Sequence, residues 1–178
     1  MVRAFVSIGS NIDPARNVRA ALRALARQVE LIGISTVYLT PAEDRPEQPP
    51  FYNCMAEIRT EMDPLHLKFQ ILRPIEADLG RQRTVDKFAT RTIDLDLVLY
   101  GDLLLNREGL VLPDPDIYKR PFLAVPLAEL APDLALPGSS LRISDLARRF
   151  APMQPLLSYT ESLRKMLSLL KPPSLDRE

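Results

Sequence analysis

The apolar residues at the start of the chain first alternate and then recur every three or four positions. Residues 3–8, RAFVSI, read as a short strand, and GSNIDPARN turns the chain into a helix over 14–29, with Asp13 as N-cap and Pro14 at the first helical position. Val18, Leu22, Leu25 and Val29 form its apolar stripe, leaving Arg16, Arg19, Arg23 and Arg27 on the solvated side. ELIGISTVYLT (30–40) and FYNCMAEIRTEM (51–62) follow as the second and third strands. DPLHLKFQILRPIEADLG (63–80) is a helix capped by Asp63, opened by Pro64 and closed by Gly80, and Pro74 inside it predicts a kink or an early break. RTIDLDLVLYG (91–101) is the fourth strand. The order strand, helix, strand, strand, helix, strand predicts an α+β ferredoxin-like sandwich, with helices on one face of an antiparallel sheet and the other face open to a ligand.

Beyond residue 102 the punctuation is by proline. LLLN and LVLP predict a hairpin about Arg107 to Gly109, and VPLAELAP (125–132) a short helix. The stretch 141–170 predicts a helical appendix whose apolar stripe runs through Leu156, Leu163, Leu167 and Leu170, suited to packing or to weak self-association. The 17 prolines cluster at 41–50 and 113–137, where they stiffen loops. The expected organisation is one domain over 1–150, a helical extension over 151–170 and a disordered tail over 171–178.

Charge narrows the function. With 23 basic and 23 acidic side chains, no global field favours nucleic acid or an anionic membrane. No apolar run reaches the roughly 18 residues of a membrane span, and the start lacks a signal-peptide pattern, so a cytoplasmic protein is expected. A single cysteine, Cys54, and a single histidine, His66, offer no disulfide and no zinc constellation. Both read as structural residues.

The chemistry concentrates in RTIDLDLVLYGD (91–102), where two carboxylates interrupt the strongest strand. Alternation sends Ile93, Leu95, Leu97 and Leu99 to the helix layer and Asp94, Asp96, Val98 and Tyr100 to the open face. Asp94 and Asp96 are then about 6.6 Å apart along the strand, within reach of a shared pair of Mg²⁺ ions. From the strand alone, a solvated face explains the pair equally well. The preceding GRQRTVDKFATRT tips the balance, because Arg81, Arg83, Lys87 and Arg91 fall on a long aperiodic segment of the kind that forms lids. Paired carboxylates beside mobile guanidinium groups suit phosphoryl transfer. No G-x-G or G-x-x-x-x-G-K cradle is present, so metal and arginines must hold any ATP.

These residues resemble the hydroxymethyl-dihydropterin pyrophosphokinase family over residues 3–137. The resemblance rests on IGSN at 8–11, TP with QPPFYN at 40–53, RTIDLDLVLYGD, and RPFLAVPLAELAPDL at 120–134. It implies a ferredoxin-like fold and transfer of pyrophosphate from ATP to a pterin alcohol in folate biosynthesis, dependent on two Mg²⁺. Carried over, the metal-binding aspartates are Asp94 and Asp96, and the phosphate-binding arginines are Arg81, Arg91 and Arg120, with Arg83 on the lid. The pterin is implied to stack between Phe51 and Phe122, to meet Asn53 and Asp94, and to be read by groups near Thr40, Pro41 and Glu43. Glu76 matches an acid that helps position ATP.

The chain departs from the family at Phe88, Ala89 and Thr90, where Trp-Gly-Pro is usual, and at Asp114, where a histidine is usual. Asp114 thus falls at an ATP-binding position, but a carboxylate there would repel ATP phosphates, so it is expected to pair with Lys119, Arg120 or a lid arginine, in preference to binding metal. The expected partners are small molecules, without nucleic acid or membrane, and the chain is expected to be a monomer or a weak homodimer through its C-terminal helix. The competing classes are a non-catalytic pterin or nucleotide sensor and an RNA-recognition module. The acids on the central strand disfavour the second.

Overall fold

The structure is a computed structural model describing residues 1–43, 45–83, 85–86 and 89–170. The expected βαββαβ order is present. Strand β1 (Val2–Ser10) leads to α1 (Pro14–Gln28), then β2 (Glu30–Ile34) and β3 (Tyr38–Thr40), and β4 (Phe51–Thr60) follows. The second helix runs through α2 (Pro64–His66), a π-helical turn (Leu67–Leu72) and α3 (Arg73–Asp78), and β5 (Asp94–Tyr100) closes the unit. In the sheet β5 and β4 flank β1, and β2 and β3 both pair with β4, all antiparallel. The predicted second strand is thus split at Ser35–Val37. There the Val37 N–H donates to Thr160 Oγ1 at 2.9 Å and the Thr36 N–H to Glu129 at 2.9 Å, so side chains from elsewhere replace the ladder.

Local signals succeed or fail for identifiable reasons. Asp63 caps as expected, accepting from the Leu65 and His66 N–H groups. Asp13 does not. Its backbone is left-handed (φ 46°), its carboxylate caps nothing, and its carbonyl accepts instead from the N–H groups of Arg16 and Asn17. A residue before proline is pushed out of the right-handed helical region, and aspartate tolerates the left-handed one. Pro74 does not break its helix: the missing N–H and the ring's bulk are absorbed by the π-turn just before it, closed by the Arg73 N–H donating to Lys68 O.

One core lies between the sheet and the helix layer. Ala4, Val6 and Ile8 of β1, Cys54, Ala56 and Ile58 of β4, and Leu95 and Leu97 of β5 meet Val18, Leu22 and Leu25 of α1 and Leu67, Leu72 and Ile75 of the second helix. A second core sits on the opposite face. Phe5, Met55, Val98 and Leu99 are covered there by Leu123, Ala124 and Leu127 of α4 (Pro121–Leu130) and Ile143 and Leu146 of α5 (Ile143–Ala147). The expected assignment of Leu99 and Tyr100 to faces is reversed. Phe5 pairs with Leu99 and Val6 with Leu97, leaving Val98 as a bulge residue that exchanges the two faces beyond it. Leu99 therefore joins the second core, while Tyr100 turns to the helix side and donates to Met62 O at 2.7 Å. Only the end of the second face nearest Asp94 stays open.

The remaining elements trim this frame. β6 (Leu105–Arg107) and β7 (Leu110–Leu112) form the expected hairpin, turning through Glu108 and Gly109 with positive φ. Residues 151–170 add a short strand, β8 (Gln154–Pro155), to the edge at β3, then α6 (Leu157–Ser168) against α1. Leu163 is fully buried in the first core, and Leu156 and Leu167 pack against it. Residues 171–178, expected to be disordered, lie outside the described residues.

Candidate active site

Register builds the floor. Gly9 of β1 stands between Asn53 of β4 and Asp94 of β5, and Ser7 between Met55 and Asp96. A Cβ at Gly9 would lie 2.6 Å from Asn53 Oδ1, so a side chain there would displace the Asn53 amide. The two residues after it tie down the loops around the cleft. Ser10 Oγ donates to Thr92 O at 2.5 Å, Asn11 Oδ1 accepts from the Arg91 N–H at 2.8 Å, and Asn11 Nδ2 donates to Pro49 O at 3.2 Å. Gly-Ser-Asn is thus a clamp that joins the 41–50 loop to the entrance of β5. Its individual roles were not legible in the sequence, since each partner is about 40 or 80 residues away.

Above this floor lie three adjoining cavities that share Asp96. The first, about 270 Å³, gathers Thr40, Pro41, Glu43, Phe51, Asn53, Asp94 and Phe122, the whole set expected at the pterin, and adds Ser7, Gly9 and Asp116. Asn53 Nδ2 donates to Thr40 Oγ1 at 2.6 Å, which orients the amide. Arg120 also opens into this cavity, ion-paired with Glu43, although it was expected at the phosphates. The second cavity, about 290 Å³, is walled by Arg81, Arg83 and Arg91 opposite Asp94 and Asp96. Lys87 and Phe88 of the expected lid lie outside the described residues. The third, about 230 Å³, holds Lys68, Asp96 and Asp114.

The charges are arranged around the carboxylate pair. Arg91 hydrogen-bonds Asp94, and Arg81 Nη2 lies 3.6 Å from it, so Asp94 is already satisfied by guanidinium groups. Among the described residues Asp96 has no such neighbour. Its side chain opens to solvent at the cleft, yet partial desolvation there raises its carboxyl above the usual range, and the negative charges of Asp94, Glu76 and Asp114 add to that, with Lys68 opposing. Two carboxylates on one strand face, one of them short of positive charge, fit a divalent cation that keeps water and phosphate oxygens as its other ligands. Among the described residues no group of three or more His, Cys, Asp or Glu side chains converges on a metal position.

Glu76 lines none of the three cavities. Its buried carboxylate accepts from the Leu95 N–H at 2.9 Å and from Arg83 Nη2 at 2.5 Å, fastening α3 to the strand between the two aspartates. Asp114 does not pair with Lys119 or Arg120. Its Oδ1 accepts from the Asp116 N–H at 2.9 Å, capping the 3₁₀ turn Pro115–Tyr118, because Pro115 starts that turn and leaves its first donor needing a partner. Sequence reasoning missed Lys68 and Asp116. Lys68 looks like a solvated helix residue, and only the π-turn aims it at the cleft. Cys54 is buried, and its thiol is pushed up to about 12 by that burial, which removes it as a nucleophile.

Fold and cleft define a class: a ferredoxin-like domain whose sheet end holds a carboxylate pair between an aromatic-walled cavity, sized for a small planar ring, and an arginine-walled one suited to a polyanion. Residues 5–132 match the family model of 7,8-dihydro-6-hydroxymethylpterin-pyrophosphokinase. The chain belongs to that family. It is 37% identical over 154 residues to the 2-amino-4-hydroxy-6-hydroxymethyldihydropteridine pyrophosphokinase of Haemophilus influenzae, covering 85% of this chain and 94% of that one. The Pseudomonas aeruginosa enzyme of the same name is 38% identical over 138 residues, covering 76% of this chain and 84% of that one. Among solved structures, a HPPK-DHPS in complex with substrates superposes with a TM-score of 0.68 at 13% identity, covering 94% of this chain and 45% of the other. That likeness speaks for the fold alone, and this chain spans less than half of the HPPK-DHPS polypeptide.

Proposed function

We propose that this chain transfers pyrophosphate from ATP to the hydroxyl of 6-hydroxymethyl-7,8-dihydropterin, giving AMP and the pterin diphosphate. The observation that carries the proposal is the pair of chemically opposite cavities sharing Asp94 and Asp96. A pterin between Phe51 and Phe122, with Asn53 and Glu43 at its polar rim, brings its hydroxymethyl arm toward the carboxylate pair. The phosphates lie along Arg81, Arg83 and Arg91. The hydroxyl oxygen then attacks the β-phosphorus in line, the bond from that phosphorus to the α,β-bridging oxygen breaks, AMP leaves with that oxygen, and the hydroxyl proton passes to solvent. Placement and charge stabilisation carry the rate.

Asp94 and Asp96 would hold Mg²⁺, two ions on the family's pattern, and Mg²⁺ when bound there neutralises phosphate oxygens. Arg91 and Arg81, now on Asp94, would be released to the phosphates as that carboxylate takes metal. Arg120, now on Glu43, can swing from the pterin rim toward the nucleotide, which reconciles its position with a phosphate role. Glu76 acts as a positioning residue, through Leu95 and Arg83.

No helix among the described residues is long and apolar enough to cross a membrane. We read the chain as a cytoplasmic monomer, because Leu156, Leu163 and Leu167 of the stripe that would serve a dimer pack within the chain. The test is to mix the protein with Mg·ATP and hydroxymethyl-dihydropterin and resolve the nucleotides. AMP is expected; ADP would mean ordinary kinase chemistry, and no nucleotide product would favour a sensor.

A further inference from the structure

The third cavity is walled by two carboxylates, Asp96 and Asp114, and by one ammonium group, that of Lys68. Lys68 is aimed there by the π-turn. The bond from the Arg73 N–H to Lys68 O stacks residue 68 beneath residue 73, whereas a regular helix would set them about 140° apart. Both cations accordingly flank Phe69, with Lys68 Nζ 5.7 Å and the Arg73 guanidinium carbon 5.0 Å from the ring centroid. Lys68 Nζ donates to Gly109 O at 2.7 Å, a neutral partner on the β6–β7 turn, and no carboxylate among the described residues lies within ion-pair distance of it.

We infer, resting on the reading that Mg·ATP lies across Asp94 and Asp96, that Lys68 is the cation that meets the nucleotide's phosphates on the Asp114 side of the carboxylate pair. Arg81 and Arg83 line the second cavity and Arg91 both the first and the second, and none of the three lines the third. Without Lys68 the charged side chains lining that cavity, among the described residues, would be the carboxylates of Asp96 and Asp114. A lysine suits the place: its flexible stem and rotatable donors let it leave a single carbonyl for a phosphate oxygen without distorting the hairpin. Burial depresses its amine, and Arg73 and Arg83 add to that, while Asp96 and Asp114 draw it back. An arriving phosphate supplies the counter-charge that the Gly109 carbonyl does not.

Calorimetry on wild type, Lys68→Met and Lys68→Arg tests the inference, with three probes: a non-hydrolysable ATP analogue with Mg²⁺, adenosine, and hydroxymethyl-dihydropterin. Lys68→Met should weaken the ATP analogue about tenfold or more, as loss of a charge-assisted hydrogen bond does. Adenosine and pterin should bind within about twofold of wild type, and Lys68→Arg should recover most of the loss. Lys68→Gln, measured in the same way, stands in if the methionine upsets the turn. Unchanged affinity for the ATP analogue in Lys68→Met would overturn the inference, and so would an equal loss for adenosine, which has no phosphate and would place the amine at the nucleoside. If wild type itself binds no Mg·ATP analogue, the nucleotide reading falls and this inference with it. If wild type binds and Lys68→Met is indifferent, only the inference falls.

Discussion

Glu76 is the buried acid on which the geometry of the carboxylate strand depends, and replacing it separates two roles. In Glu76→Ala the Leu95 N–H, between Asp94 and Asp96, loses its acceptor at 2.9 Å. An unsatisfied buried donor costs about 1–3 kcal/mol. The emptied space at a side chain only 2% exposed adds on the order of 1 kcal/mol or more. The ion pair with Arg83 adds little, since that guanidinium is half exposed. The sum is about 3 kcal/mol, or roughly 6–12 °C in Tm for a chain of this size. Glu76→Gln keeps an acceptor for Leu95 and should cost under about 1 kcal/mol.

The pH dependence of the pair distinguishes them further. Burial raises the Glu76 pKa in the folded protein above its unfolded value, so ionisation of Glu76 opposes folding. Wild type therefore loses this contribution to its stability as pH rises from the unfolded value toward the raised folded one. Glu76→Gln lacks the effect, so its stability relative to wild type should improve across that window. Urea denaturation at several pH values, with kcat/KM measured alongside, provides the assay. Equal destabilisation by Ala and Gln would refute the role of the Leu95 hydrogen bond, and a gap between Gln and wild type that widens with pH would refute the sign of the shift.

Asp94→Asn and Asp96→Asn should each lower turnover by well over tenfold, a barrier change above ~1.4 kcal/mol, while leaving the fold intact; stopped-time assays of AMP formation with circular dichroism check this, and turnover within tenfold of wild type in either would refute the metal assignment. Gly9→Ala should weaken pterin binding while sparing Mg·ATP, because its Cβ would displace the Asn53 amide; equal losses in calorimetry for the two ligands would show that the floor is not partitioned in this way. Asp114→Asn keeps an oxygen to cap the Asp116 N–H but removes a negative charge beside the third cavity, so it should tighten Mg·ATP, with the gain shrinking as salt rises. Asp114→His, which loses that oxygen, should melt at a lower temperature than Asp114→Asn, and the reverse order in a thermal scan would contradict the capping role.

The chain's hydrophobic periods determined the βαββαβ order, its local motifs determined the carboxylate pair and the arginine-rich segment, and its family resemblance implied the two phenylalanines. Each is a short-range signal: alternation assigned Asp94 and Asp96 to one face because both lie before the bulge at Val98. The tertiary structure decided whatever depends on partners far apart in the chain. It exchanged the faces of Leu99 and Tyr100, since the bulge exists only in the pairing of β5 with β1. It turned Ser10 and Asn11 into a clamp, placed Arg120 on Glu43, and broke the second strand where Thr160 and Glu129 supply the acceptors. It also brought Lys68 to the cleft, because Pro74 is answered by a π-turn, and a sequence period of 3.6 cannot show which residue that turn will stack.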